Sequence, residues 1–184
     1  MTKQKLNRIG YISAAVTFAI ATFIMFAHYQ GFQGDYERYG LLFIPIAFII
    51  NLSVLIYILV ASNKKSINYS VWPIYAMLLN IPVAFFYLWL AIYLMGYYRV
   101  TVINDTSSTI TDIQLSGCDN KSIQKLEPGE EQTVWIEIDN DCSLGISYLD
   151  KEKTKNLDNV VGYLCPGMGH PEDYHISGRR NPKY

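Results

Sequence analysis

Three long stretches without a charged residue constrain this chain more than any other feature. They run from Ile9 to Ala27, from Gly40 to Ala61 and from Val71 to Tyr98. Each reaches the roughly 18 to 20 residues that a helix needs to cross about 30 Å of hydrocarbon. Apolar content divided this unevenly argues for two parts, not one globular core. The net charge of -1 and mean hydropathy of +0.12 average a charge-free half with a charged one. After Tyr98, fourteen Asp and Glu stand against nine Lys and Arg. That mildly acidic balance excludes nucleic acid as the expected partner of the water-facing part.

Basic residues in short loops are held on the cytoplasmic side during insertion. Lys3, Lys5 and Arg8 precede the first run, and Lys64 and Lys65 lie between the second and third. On the opposite side stand only Arg38 and Arg99. The expected topology is therefore an N-terminus in the cytoplasm and a C-terminal domain outside it, with a bacterial cytoplasmic membrane as the expected location. The first run resembles a signal peptide in its basic start, but it is long and offers no small-x-small cleavage pattern, so it is expected to stay attached.

Within the helices, Ser13, Thr17 and Ala21 repeat at i, i+4, i+8 and form a small-residue face suited to close helix packing. It would serve this chain's own bundle or a partner's helix. Asn51 and Asn80 are the most polar residues at membrane depth, and an amide in hydrocarbon is costly without a partner. A hydrogen bond between the two is the expected solution. No ionisable group interrupts the apolar runs, which argues against a pump or channel and for an anchor or a lateral docking unit.

From Val100 the periodicity changes from helical to two. Val134, Ile136 and Ile138 alternate with Trp135 and Glu137, and Leu144, Ile146 and Tyr148 alternate with Ser143, Gly145 and Ser147. Strands are predicted near 100–104, 109–115, 121–126, 131–138, 143–149, 159–164 and 173–177, separated by turn-forming segments such as NDTSS, EPGE and CPGMGHPE. The fold class is thus an α+β, two-part membrane protein. Residues 1–98 form three transmembrane helices (about 9–28, 40–61 and 71–98), 99–178 a small antiparallel β-sandwich, and 179–184 a basic tail. Because the third helix enters the first strand almost without linker, Tyr97, Tyr98 and Arg99 are expected to hold the sandwich at the lipid surface.

The run N-D-T-S-S-T-I-T-D-I from Asn104, the segment Ile123 to Leu126, L-E-P-G-E-E and the strand TVWIEI together resemble the bacterial immunoglobulin-like domains of the cell envelope. The resemblance covers Val100 to Tyr148, and the chain departs from it after Asn159. It implies an immunoglobulin-like sandwich with a binding or scaffolding role, and it carries over no active site.

All three cysteines lie in the soluble part. Cys118 and Cys142 sit in turns at strand ends and are the expected disulfide, with pairs that include Cys165 as alternatives. The segment from Cys165 to His175 gathers a thiol, a thioether and two imidazoles, Cys165, Met168, His170 and His175, a soft ligand set that would suit copper. Their order differs from the usual Cys, His, Met of blue-copper loops, so a glycine-proline turn is the favoured reading. No nucleophile motif, phosphate loop or zinc spacing is present, and no enzymatic activity is expected. The leading functional expectation is a membrane-anchored extracytoplasmic protein-binding module, acting as an accessory subunit of a membrane complex or as an inhibitor of the immunity-protein type. Its partners would be the lipid bilayer and another membrane or envelope protein, with no cofactor; copper handling is the alternative.

Overall fold

The structure, a computed structural model, describes residues 3–31, 36–65 and 71–178. The basic tail at 179–184 lies outside the described residues. Three helices come first: α1 (Lys3–Gln30), α2 (Tyr36–Lys65) and α3 (Trp72–Met95). All three are long and apolar enough to cross a membrane. Seven strands follow: β1 (Tyr97–Ile103), β2 (Ile110–Ser116), β3 (Lys121–Leu126), β4 (Glu131–Glu137), β5 (Cys142–Leu149), β6 (Lys155–Leu164) and β7 (Pro171–His175). The chain divides into two compact units, Met1–Ala91 and Ile92–Tyr184.

In the first unit most large apolar side chains are exposed, and a small cluster of Leu6, Ala14, Ile58 and Met77 is buried. At Gly10 the three helices come close together. A Cβ there would lie 2.8 Å from Pro73 Cβ on α3 and 3.2 Å from Ile58 Cδ1 on α2. Polar contacts to α1 add to the packing. Ser13 Oγ donates to Asn51 Oδ1 at 3.2 Å, and Asn51 Nδ2 donates to Thr17 Oγ1 at 3.0 Å. Asn80 Nδ2 donates to the Ala14 carbonyl at 3.1 Å. The expected bond between Asn51 and Asn80 is therefore corrected: each amide finds a partner on α1. The physical reason is local supply, because Ser13, Ala14 and Thr17 present a hydroxyl pair and a carbonyl within one turn. A third tie, Thr22 Oγ1 to Tyr87 Oη at 2.8 Å, also joins α1 to α3. The face that carries Ser13 and Thr17 is thus used inside the unit, and Ala21 beside it is half-buried.

The third helix is shorter than its apolar run. It ends at Met95, not Tyr98, because Gly96 breaks it with a tight turn, its N–H donating to the Tyr93 carbonyl at 3.1 Å. Tyr97 and Tyr98 then enter the β1–β4 ladder opposite Glu137 and Ile136. Tyr98, 2% exposed, turns into the sandwich core, whereas Arg99, 4% exposed, lies on the opposite face of β1. The Arg99 guanidinium lies 5.6 Å from the centre of the Trp135 ring on the neighbouring strand.

The second unit has a three-stranded sheet ordered β4-β1-β7 and a four-stranded sheet ordered β3-β2-β5-β6. Both sheets contribute to one core: Tyr98, Val100 and Ile136 from the first, and Ile113, Leu115 and Leu144 from the second. The alternation read from the sequence is this burial pattern. The expected antiparallel arrangement needs one correction, since β1 and β7 are parallel. They are the first and last strands, so no hairpin obliges them to run in opposite directions. Cys118, in the turn after β2, and Cys142, at the start of β5, form the expected disulfide with Cα atoms 5.2 Å apart. Cys165 remains a free thiol.

Candidate binding surface

The loop between β6 and β7 carries the most reactive-looking residues, and its geometry is that of a cap. Gly169 N–H donates to the Met95 carbonyl at 2.9 Å, satisfying one of the last carbonyls of α3. A Cβ at Gly169 would lie 2.5 and 2.6 Å from the carbonyl oxygens of Tyr97 and Met95, and closer still to that of Leu94. Only glycine fits that seat. The following carbonyl, of His170, accepts from Arg99 N–H at 3.0 Å. The last helical turn, from Ile92 onward, therefore belongs to the second unit.

The copper set is not brought together. His170 stands edge-on to Tyr98 with ring centres 4.7 Å apart, and its Nδ1 lies 2.9 Å from the Met168 carbonyl, which can only accept. His175 Nδ1 instead lies 3.3 Å from Asp105 Oδ2. Met168 is exposed and Cys165 half-buried. Among the described residues, no three His, Cys, Asp or Glu side chains gather as metal ligands.

Asp105, His175 and Ser177 do meet, although sequence reading did not join them. Ser177 donates its backbone N–H to Asp105 Oδ1 at 2.9 Å and its hydroxyl to Oδ2 at 2.5 Å. The aspartate is the middle member, so the imidazole does not touch the serine hydroxyl as a general base would. The trio ties the end of β7 to the turn after β1. Partial burial works to raise the Asp105 carboxyl, but the two Ser177 bonds, with His175 alongside, outweigh it and hold the group below its ordinary 3.8.

The two turns quoted for the immunoglobulin-like resemblance also lock together. Asn104 is fully buried; its Nδ2 donates to the carbonyls of Ser108 and Leu126 at 2.8 and 2.9 Å, and its Oδ1 accepts from the Thr106 backbone N–H and hydroxyl. Gly129 N–H in the EPGE turn donates to the Asn104 carbonyl at 2.7 Å, and Asn104 N–H donates to the Glu130 carbonyl at 3.0 Å. Gly129 has φ +79°, which explains glycine in that turn.

A further polar patch lies between the edges of the two sheets. Tyr174 Oη on β7 donates to Asp158 Oδ2 on β6 at 2.8 Å, bridging the sheets. Around this bridge is a shallow hollow of about 40 Å³ lined by Asp158, Val160, Glu172, Asp173, Tyr174 and His175. Nearby, Tyr148 Oη donates to the Ile176 carbonyl at 3.3 Å, and burial, with Asp158 and Asp150 adding to it, raises the phenol's pKa. No short motif encodes this hollow, because its acids come from two strands paired in different sheets.

Each of the four outer strands carries a feature that discourages further pairing. β3 places Lys121 and Lys125 along six residues, β4 is flanked by Glu131 and Glu137, and β7 has five residues and opens on Pro171. β6 is ten residues long; it opens on Lys155, and its pairing with β5 shifts register twice between Asn159 and Leu164, where it carries no charge. Its Leu157 and Tyr163 are 76% and 56% exposed.

No protein-family model matches the chain, and no curated protein matches it. Among solved structures, the NMR structure of a protein from Eubacterium rectale is similar at 9% identity and a TM-score of 0.35, covering 44% of this chain and 77% of that one. At that score the likeness bears on neither fold details nor function.

Proposed function

We propose that the chain is a membrane-anchored, extracytoplasmic protein-binding module whose immunoglobulin-like sandwich engages another membrane or envelope protein. The observation that carries this reading is β6, a long outer strand whose large apolar side chains face outward beside an acidic hollow. Such edges give a protein partner main-chain hydrogen bonds for affinity and side-chain pockets for specificity. Three helices long and apolar enough to cross a membrane support the anchoring role. The excess of Lys and Arg before α1 and between α2 and α3 supports the assigned sidedness. A Cys118–Cys142 disulfide agrees with an oxidising compartment. An accessory subunit and an immunity-type inhibitor are the two forms of this role.

Purification of the full chain in mild detergent after brief in-cell cross-linking tests it. One protein recovered at near-stoichiometric amount, and lost when Leu157 and Tyr163 are changed to Lys, is the expected result. Recovery of the chain alone from cells at native expression level would overturn the reading.

A further inference from the structure

The last turn of α3 belongs to the second unit, and the parts of that unit packed around it expose apolar and aromatic side chains. We infer that the β6–β7 loop and the rings of Tyr93, Tyr97 and Trp135 form one lipid-contact surface, seated in the headgroup layer of the leaflet from which α3 emerges. The inference rests on the anchoring part of the reading above and adds a second membrane contact, made by the sandwich itself.

Depth follows from the length of α3. Its 24 residues rise about 36 Å, against about 30 Å of hydrocarbon. When the helix spans, its end at Met95 therefore lies at the headgroup layer. Tyr93 stands about 32 Å along the helix from Trp72 at its start, and both rings are exposed. Aromatic side chains separated by the hydrocarbon thickness mark the two interfaces of a membrane. Any segment bonded to the backbone at 94–97 shares the depth of that end.

Two parts of the second unit are held there. One is the loop, which Gly169 fixes through the Met95 carbonyl and through its tight seat against the carbonyls of Leu94 and Tyr97. A Cβ on Gly167 would lie 3.9 Å from Met95 Cε. With the backbone fixed in this way, Pro166, Gly167 and Met168 are exposed, and residues 165–169 include no Asp, Glu, Lys or Arg. The other part is aromatic. The rings of Tyr93 and Tyr97 lie 4.8 Å apart between centres, and those of Tyr97 and Trp135 5.8 Å. Rings that are apolar in body and polar at the tip suit a boundary that is dry on one side and wet on the other. Charged neighbours set the limit of that depth. Tyr97 Oη donates to Glu137 Oε1 at 3.5 Å, and the Arg99 guanidinium lies beside Trp135. A headgroup layer accepts both charges, whereas hydrocarbon makes them costly.

The test uses the full chain in vesicles of phosphatidylcholine and phosphatidylglycerol, in four variants that each keep a single tryptophan, the others changed to Phe. That tryptophan stands at 89, at 135, at 168 through Met168→Trp, or at 107 through Ser107→Trp, in the turn at the far end of β1. An intact Cys118–Cys142 disulfide and an unchanged circular dichroism spectrum confirm that each variant folds. A lipid carrying a nitroxide on its headgroup should remove most of the emission of Trp135 and of the Met168→Trp chain, and leave the Ser107→Trp chain bright. If the first two stay as bright as the third, the inference is overturned; a second copy seated on the surface would give that result by keeping lipid away. Quenching at only one of the two positions would overturn the claim that loop and rings form one surface. Brominated acyl chains read Trp89 separately. Should they quench it while Trp135 and the Met168→Trp chain stay bright to the headgroup probe, this inference fails and the anchored reading stands. Without quenching of Trp89, α3 does not span, and the anchored reading falls together with this inference.

Discussion

Both units of this protein are rich in large apolar side chains, and they place them in opposite ways. In the second unit these side chains point into a common core, with Tyr98, Ile113 and Leu144 almost fully buried. In the first unit, Phe85, Trp89, Leu41 and Ile49 are exposed, and burial is limited to a few residues, the cluster of Leu6, Ala14, Ile58 and Met77 with Met25, Ala27 and Ala47 besides. Where apolar surface is everywhere, it cannot specify which helix faces which. In the first unit that task falls to Asn51, Asn80 and Tyr87, all of which reach α1. The second unit inverts this: apolar residues make the core, and the points that fix it are one glycine, one asparagine and one disulfide.

The sharpest way to break this contrast is at Gly169. Changing it to Val drives a side chain into three backbone carbonyls that belong to a helix end and a strand start, neither of which can move alone. Overpacking against backbone is among the few mechanisms that reach about 4 kcal/mol in a single substitution. Chemical unfolding of the second unit, followed by Trp135 fluorescence, is expected to lose most of its native baseline. The helical signal of the first unit should persist.

Next in size is the disulfide. Cys118 and Cys142 are 24 positions apart. In the chain-entropy account, closing a loop of that length stabilises by about 3 kcal/mol. The double variant Cys118→Ala with Cys142→Ala should shift the denaturant midpoint of the second unit accordingly, and reductant should have no further effect on it. An unchanged midpoint would mean that the sheets around β2 and β5 already hold the turn in place.

These two sites also show what was legible in advance. The strands were readable because a sandwich buries alternate residues: Ile136 and Ile138 against Trp135 and Glu137 signal a buried face without any tertiary knowledge. The cysteine pair was readable because both lie at strand ends. Gly169 was visible as a turn residue and nothing more, since its need for a missing Cβ comes from the end of α3, far back along the chain. The helix end at Met95 was hidden for a related reason. Tyr97 and Tyr98 are as apolar to a membrane as to a sandwich core, and only pairing with β4 decides between them. The acidic hollow was illegible because Asp158 and Asp173 meet through sheet edges that no spacing rule connects. Asn51 and Asn80 were rightly seen to need partners, but the backbone carbonyl of Ala14 leaves no trace in a sequence.

Those two amides provide a smaller test on the other side of the contrast. Asn51→Leu removes bonds to Ser13 and Thr17, and Asn80→Leu removes one to Ala14. Polar ties between helices in apolar surroundings are worth about 1 kcal/mol each, often less. Loss of helix–helix association in a detergent titration should be of that order for Asn51 and smaller for Asn80. The double variant should be additive within about 0.5 kcal/mol, as expected for residues without a shared bond. A coupling well above that value would restore a direct bond between the two.

The smallest expected effect lies at Asp105, and acid isolates it. Its carboxyl is held below the ordinary 3.8 by the Ser177 hydroxyl and N–H and by His175, against the opposing pull of burial. Because the folded group titrates lower than the unfolded one, its stabilisation is complete above the ordinary value and is lost as pH falls through the folded one. Asp119 and Asp150 are also lowered, by Lys121 and by the Thr154 N–H respectively, so acid weakens the second unit through several groups at once. Overall acid sensitivity therefore says nothing about Asp105 in particular. The difference between the wild-type chain and Asp105→Asn does, because contributions from Asp119 and Asp150 cancel in it. That difference should be under about 1 kcal/mol near neutrality, as the carboxylate is partly in water, and should shrink as pH falls below the ordinary 3.8 and Asp105 takes up its proton. A difference that stays constant over that range would mean that Ser177 binds the carboxyl equally in both protonation states, and that the tie between β7 and the turn after β1 is one of shape and not of charge.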